Sequence, residues 1–171
     1  MTTYLHDLSH EECLRLLAAG DLGRIAFQSP SGQQIIPINY RVHDDAIVVR
    51  TTPYSELGLH GPGAEAAFET EELNRERRTG WSVVAKGRMH VVTRQAEVAA
   101  LRVDHDDPEP WAGGVRALYL KLVWRELTGR WIQNDAVAST RSPVVGGRQI
   151  PVGPAVSLPG SARRREQPPR W

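Results

Sequence analysis

Apolar and polar residues alternate along most of the first 134 positions, and this pattern predicts strands. The runs lie at 23–28, 34–42, 47–52, 64–70, 81–93 and 118–132. Short turns rich in glycine, proline, serine and aspartate separate most of them. Only 95–103 and a segment near the N-terminus show a helical pattern. Because no βαβ alternation is present, we predict a mainly β domain, a six-stranded antiparallel barrel with short flanking helices.

The N-terminal helix has recognisable start and stop signals. Ser9 and Glu12 fit a capping box, in which each side chain bonds the other residue's backbone N–H. An apolar stripe follows, and Gly20 is placed to end the helix. The sequence therefore predicts a helix over 10–19.

Glycine and proline also mark irregular positions inside the strands. Pro37 cannot donate to a strand ladder, so its strand is expected to lie at an edge or to bend. Gly87 predicts a bulge or sharp bend in the long strand 81–93, and Gly129 predicts a break in the last strand.

Composition indicates one soluble domain. The 171 residues are 40% hydrophobic and 24% charged. No apolar run approaches the ~18 residues that span a bilayer, and MTTYLHDLSH lacks the features of a signal peptide. The single cysteine, Cys13, excludes an internal disulfide and disfavours zinc. It faces Leu8 across the first helical turn, as a buried small hydrophobe rather than a nucleophile. We expect a cytoplasmic protein.

Charge divides the chain into two parts. Residues 137–171 hold six arginines and one glutamate, so with a net charge of +1 overall, residues 1–136 carry −4. The tail repeats proline and glycine without any period, which predicts a disordered segment after a domain at 1–136. Its arginine run at 163–165 could contact nucleic acid, but a solubilising role is favoured, so no nucleic-acid partner is expected.

The stretch IVVRTTPYSEL at 47–57 places one guanidinium and several hydroxyls on a single strand end. Arginine offers a planar fork of donors that fits two phosphate oxygens. Hydroxyls at Thr51 and Ser55 add neutral donors. The stretch is therefore a candidate anion site formed by Arg50, Thr51 and Ser55, with a plain solvated strand end as the alternative.

Other candidate chemistry is weaker. No Walker or dinucleotide-binding glycine loop is present. His105, Asp106 and Asp107 form a polar loop in which a solvated surface is favoured over a hard-cation site, so no metal is predicted. Trp81 and Ser82 begin a strand after a glycine, where the indole either lines an opening or packs in the core.

Four segments in order resemble the pyridoxamine 5′-phosphate oxidase-like family of FMN-binding split β-barrels, in its short bacterial branch. They are HEECLRLLAAGDLGRIAF, IIPINYRVHDDAIVVRTTPYSEL, AAFETEELNRERRTGWSVVAKGRMHVV and ELTGRWI. Together they cover roughly residues 5–134. The resemblance lies in the order and spacing of the segments, since no single one is diagnostic.

The resemblance implies a homodimer with FMN at the interface. The phosphate would be held by Arg50, Thr51 and Ser55. The isoalloxazine ring would run beside Pro37, Ile38, Asn39 and Tyr40. Trp81 and Ser82 would approach it from the partner subunit, and Arg130 is a further candidate for the same pocket.

The turn departs from the family pattern in its charge. Lysine often follows the serine in this family, whereas Glu56 stands there in this chain, and Tyr54 stands where glycine is frequent. A phosphate would lose one cation and, if Glu56 points toward it, would meet a carboxylate.

The resemblance implies an FMN-dependent oxidoreductase acting on an unidentified small molecule, for which the sequence names no catalytic acid or base. A non-catalytic flavin-binding or sensing protein is the alternative, and Glu56 favours it. The same fold with deazaflavin or haem is a third interpretation. Haem would need an axial histidine, for which His60 and His90 are the candidates.

Overall fold

In the computed structural model, the chain is described over residues 3–103, 107–134, 144–145 and 148–149. The proposed boundary at 136/137 and most of the tail 137–171 lie outside these residues, so the two-part division stays a prediction. Within the tail, Val144–Val145 pairs antiparallel with Arg148–Gln149.

Strands make up most of the described fold. They are β1 Thr3–Asp7, β2 Leu22–Ser29, β3 Gly32–His43, β4 Ala46–Thr51, β5 Glu65–Asn74, β6 Thr79–Val91 and β7 Leu118–Asn134, with the short tail strands as β8 and β9. The helices are α1 His10–Ala19, α2 Glu56–His60 and α3 Gln95–Val103. No helix of the described residues is long and apolar enough to cross a membrane.

Six antiparallel strands close into a ring. The sheet order is β1-β7-β4-β3-β2-β5-β6, and a further pairing of β6 with β7 completes the circle. β1 lies outside the ring as an extra strand on β7. The ring of six strands with few helices confirms the predicted mainly β fold. The pattern did not predict β1, α2 or the short tail strands β8 and β9.

The predicted capping box holds the start of α1. The Ser9 hydroxyl accepts from the Glu12 backbone N–H at 3.3 Å, and a Glu12 carboxylate oxygen accepts from the Ser9 N–H at 2.7 Å. Gly20 ends the helix in an extended conformation, with φ −89°. Glycine is needed there for space rather than for φ, because a Cβ would lie 2.5 Å from the Tyr40 hydroxyl.

Pro37 lies where β3 has a strand on one side only. Residues 32–39 of β3 pair with β2, but pairing with β4 begins only at Tyr40. The missing N–H therefore costs no ladder bond to β4, which confirms the predicted edge position.

The two strand glycines have different roles. The β6–β7 register shifts between Lys86 and Gly87, as predicted, and a Cβ on Gly87 would lie 2.7 Å from the Trp124 Cα. The break predicted at Gly129 was wrong, because β7 continues through it to Asn134. Gly129 is small for another reason: a Cβ would lie 2.7 Å from the Cys13 sulfur and 2.9 Å from Leu8.

Cys13 is fully buried beside Leu8 in the barrel core, which confirms its predicted role as a small hydrophobe. Burial, with a smaller contribution from Glu12, raises the pKa of the thiol to about 11. At pH 8 only about one thiol in a thousand is then ionised.

We expect Ellman's reagent to label Cys13 slowly in the folded protein and rapidly in denaturant, because the thiol is buried and protonated in the fold. Fast labelling of the folded protein would contradict this burial.

Candidate functional site

The two predicted hydroxyls lie together at the end of β4. The Oγ atoms of Thr51 and Ser55 are 2.7 Å apart. The Ser55 hydroxyl donates to the Thr52 carbonyl at 2.9 Å and accepts from the Gly58 N–H at 3.0 Å, so it caps α2. Since the Ser55 proton is used, Thr51 is the donor to Ser55. An incoming anion would have to take over one of these hydrogen bonds.

Arg50 leaves the opposite face of β4 from Thr51. Side chains alternate between the two faces of a strand. Ile47 and Val49 pack in the barrel core, whereas Val48 packs in a second cluster with Tyr119 outside it. Arg50 shares the face of Val48, and its guanidinium lies over the Tyr119 ring at 5.0 Å. The predicted trio is thus divided by the sheet.

The guanidinium of Arg50 has partners within the chain. Its Nη1 lies 3.2 Å from a carboxylate oxygen of Asp107, and its Nε donates to the Arg116 carbonyl at 3.2 Å. Both charged side chains of this ion pair are about one quarter exposed. Arg50 therefore holds the segment that connects α3 to β7, which sequence reasoning did not associate with it.

Residues 37–40 of β3, the PINY segment, lie partly at a strand edge without a β4 partner, and most of their side chains are occupied. Pro37 is exposed, and Ile38 packs partly against the barrel core. Asn39 is 8% exposed. Its Nδ2 donates to the Asp21 carbonyl at 3.2 Å, and its Oδ1 accepts from the Trp111 N–H at 2.9 Å.

Tyr40 points into the barrel. Its side chain is fully buried, its ring packs against Phe68 edge-on at 4.6 Å, and its hydroxyl donates to the Leu17 carbonyl at 2.6 Å. Burial raises the pKa of this phenol to about 12. A ring beside this segment would therefore contact the strand edge near Pro37 and not the Tyr40 side chain.

The segment 107–117 contacts both strands of the candidate site, β3 and β4. It bonds to Arg50 through Asp107 and to Asn39 through the Trp111 backbone N–H. It thus lies against both the PINY edge and the end of β4. No local sequence signal indicates this, because Asp107 and Arg50 are 57 positions apart.

Trp81, Ser82 and Arg130 form a separate group. Trp81 is 3% exposed and belongs to the barrel core, which is the core position that the sequence left open for it. Ser82 pairs in register with Arg130, whose exposed guanidinium lies 3.9 Å from Asp7. Arg130 and the Arg50 partner Tyr119 are separated by 11 positions of β7, or roughly 36 Å of extended strand.

The Glu56 side chain lies along the surface of α2. Its carboxylate lies 3.8 Å from Nε2 of His60, one helical turn later, and its side chain is half exposed. The pair directs the acidic group along the helix surface. The carboxylate that replaces the family lysine therefore has a partner within α2.

A groove of about 640 Å³ crosses the outer surface of the barrel away from these residues. Its lining includes Ala26, Ile35, Ala67 and a charged wall, and none of the predicted site residues. In that wall Lys86 pairs with Glu126 at 2.9 Å. Because none of the residues indicated by the sequence line this groove, we place the candidate site at the PINY edge instead.

Metal ligands do not converge in the part of the chain that the structure describes: no three His, Cys, Asp or Glu side chains are placed to hold an ion. His105 and Asp106, the core of the polar loop considered from sequence, lie outside the described residues.

Comparison with known proteins identifies relatives. The uncharacterized protein Rv0080 of Mycobacterium tuberculosis is 31% identical over 143 residues, covering 80% of this chain and 89% of its own. The FAD binding protein from Mycobacterium smegmatis is 26% identical, with a TM-score of 0.61, covering 74% of this chain and 98% of that one.

A Corynebacterium glutamicum protein proposed to be a pyridoxamine 5′-phosphate oxidase is 27% identical, with a TM-score of 0.64, over 77% of this chain and 95% of its own. The family model for pyridoxamine 5′-phosphate oxidase matches residues 9–131, from the α1 cap to the end of the barrel. The chain therefore belongs to the pyridoxamine 5′-phosphate oxidase family.

Proposed function

We propose that the protein binds a flavin nucleotide and uses it as an oxidoreductase on a small molecule. The observation that carries this proposal is its similarity to the FAD binding protein from Mycobacterium smegmatis, which spans nearly all of that protein at 26% identity. Membership of the family supports the same reading. The finer part of the proposal is that the flavin is FMN.

The donor chemistry at the candidate site fits a flavin phosphate. The Arg50 guanidinium lies on the outer face at the end of β4, whereas the Thr51 and Ser55 hydroxyls lie on the other face, so a phosphate on the Arg50 side would be held by the guanidinium. Arg50 bonds through Nε and Nη1 only in the described contacts, and the hydroxyls bond each other and the α2 cap. Charged donors of this kind favour phosphate oxygens. The Glu56 side chain is half exposed, so solvent screens its charge from such a phosphate.

A bound flavin would supply the redox chemistry, accepting and releasing hydride or electrons. The chain would supply binding and orientation. The PINY edge near Pro37, which has no β4 partner, would align the ring through backbone groups. Arg50 would hold the phosphate end. Segment 107–117 would limit access of water to the region between them.

A homodimer is part of this proposal. Arg50 pairs with Tyr119 near the start of β7, whereas Arg130 lies near the end of that strand. A single flavin would therefore contact both arginines only if two copies of the chain contributed. Light scattering on the purified protein should give twice the 19.0 kDa of one chain. A strictly monomeric protein at working concentration would remove Ser82 and Arg130 from the proposed site.

Titration with FMN and FAD tests the proposal. We expect the full-length protein, as purified or after addition of flavin, to show bound flavin absorbance in the blue and quenched flavin fluorescence. A reduced nicotinamide should then bleach the bound flavin. Binding without bleaching would support the non-catalytic alternative, and a protein that ignores both flavins would refute the proposal.

A further inference from the structure

Two guanidiniums and a phenol surround one carboxylate on the outer face of the barrel. The Asp107 Oδ1 atom accepts from Arg50 Nη1 at 3.2 Å and from the Tyr119 hydroxyl at 3.0 Å. Its Oδ2 atom lies 3.8 Å from Nε of Arg102. Both guanidiniums also lie against the Tyr119 ring, at 5.0 Å and 6.0 Å from its centre.

The donors of this cluster are held by regular elements. Arg50 is on β4, Tyr119 pairs with it on β7, and Arg102 is in the last turn of α3. Tyr119 is 4% exposed and packs with Val48 and Leu101. This packing fixes the Tyr119 hydroxyl, and the Tyr119 ring supports the Arg50 guanidinium, before any ligand arrives, which favours anion binding. The Arg102 side chain is 60% exposed and can adjust to a ligand.

The carboxylate, in contrast, is carried by an irregular connection. Residues 111–115, which follow Asp107 in the same segment, are all exposed. Gly114 has a φ of +98°, which glycine adopts without strain. Pro108, directly after Asp107, is buried. Release of the carboxylate therefore requires rotation of the Asp107 side chain rather than opening of the whole segment, and the donors on β4 and β7 can stay in place.

We infer that Arg50, Arg102 and Tyr119 form an anion site that Asp107 fills until a phosphate group displaces it. The inference rests on the proposed function and extends it, since it adds Arg102 and Tyr119 to the phosphate contacts and makes Asp107 their competitor. A phosphate monoester carries more negative charge than a carboxylate and has three acceptor oxygens. It can satisfy both guanidiniums and the phenol together.

The experiment compares Asp107→Asn with the wild-type chain by calorimetric titration of inorganic phosphate and, separately, of FMN. Asparagine keeps an acceptor for the Tyr119 hydroxyl but removes the charge that competes for the arginines. We expect Asp107→Asn to bind both ligands about 10-fold more tightly, on the scale of one charged hydrogen bond. Glu109→Gln, an exposed site in the same segment, removes the same charge and should change affinity less than about twofold.

Arg102→Gln provides a second test, because this exposed side chain is removable without loss of the fold. It should weaken phosphate binding in the Asp107→Asn background. If Asp107→Asn and Glu109→Gln change affinity equally, or neither changes it, the inference is overturned. Tight FMN binding with no Asp107 effect would leave the proposed function standing. Tighter binding of inorganic phosphate by Asp107→Asn, with no binding of FMN by either protein, would support the anion site and refute the proposed flavin function.

Discussion

Phe68→Ala is expected to destabilise the protein by about 3–5 kcal/mol, the cost of removing a buried phenyl ring and leaving a cavity. Phe68 is fully buried and packs edge-on against Tyr40 at 4.6 Å. Its Cε2 atom also lies 2.7 Å from where a Cβ of Gly23 would be, so β2 closes tightly over the ring.

Removing the Phe68 ring would also loosen the candidate site, because Tyr40 packs on that ring and is the last residue of the PINY segment. The Tyr40 hydroxyl also bonds to the Leu17 carbonyl of α1. Chemical denaturation measures the free energy of unfolding. Ile35→Ala is the matched control on β3, since that side chain is 70% exposed, and it should cost less than about 0.5 kcal/mol. Equal losses for the two variants would show that the barrel core is not centred on Phe68.

Arg50→Ala is expected to weaken flavin nucleotide binding by about 1.5–3 kcal/mol, roughly 10- to 150-fold, the range for hydrogen bonds to charged groups. The guanidinium lies over the Tyr119 ring and bonds to the Arg116 carbonyl, so it needs little ordering when a ligand binds. Arg50→Lys keeps the charge but not the planar fork, and should give an intermediate loss.

Fluorescence titration with FMN measures the effect. Arg24→Ala is the control, because Arg24 pairs with Glu69 and Glu71 on the exposed surface of the sheet. It removes the same charge from the chain, so a general electrostatic effect would appear in both variants. An unchanged dissociation constant in Arg50→Ala would exclude Arg50 from the site.

The barrel could be predicted from sequence because its determinants are local. Period-two alternation marks most of the ring strands, a continuous apolar run at 47–49 marks β4, and Ser9 with Glu12 marks the start of α1. Pro37 and Gly87 indicated a local edge and a bulge, and both are present. In each of these cases one residue's own backbone chemistry limits what the chain can do.

The elements that were missed lack such local signals. β1 pairs outside the ring, and its Tyr4 and Leu5 are about half exposed, so no burial pattern distinguishes it from a loop. α2 has only five residues, and its cap, Ser55, was interpreted as an anion ligand alone. Gly129 was misread as a break because close approach by α1 depends on tertiary packing.

The candidate site was predicted only in part for the same reason. Thr51 and Ser55 are near in sequence and meet in space. Arg50 is adjacent to Thr51, but strand alternation sends it to the other face, where a partner 57 positions away holds it. The pairing of β4 with β7 determines this arrangement. Local sequence patterns do not indicate that pairing, because the two strands are far apart along the chain.

The most direct test of the flavin site is a crystal structure of the full chain with FMN. We expect the phosphate within hydrogen-bonding distance of the Arg50 guanidinium, with the ring along the edge of β3 at Pro37 that has no β4 partner. An FMN phosphate bound elsewhere, for example in the groove beside Ala26 and Ala67, or crystals that take up no flavin at high concentration, would contradict it.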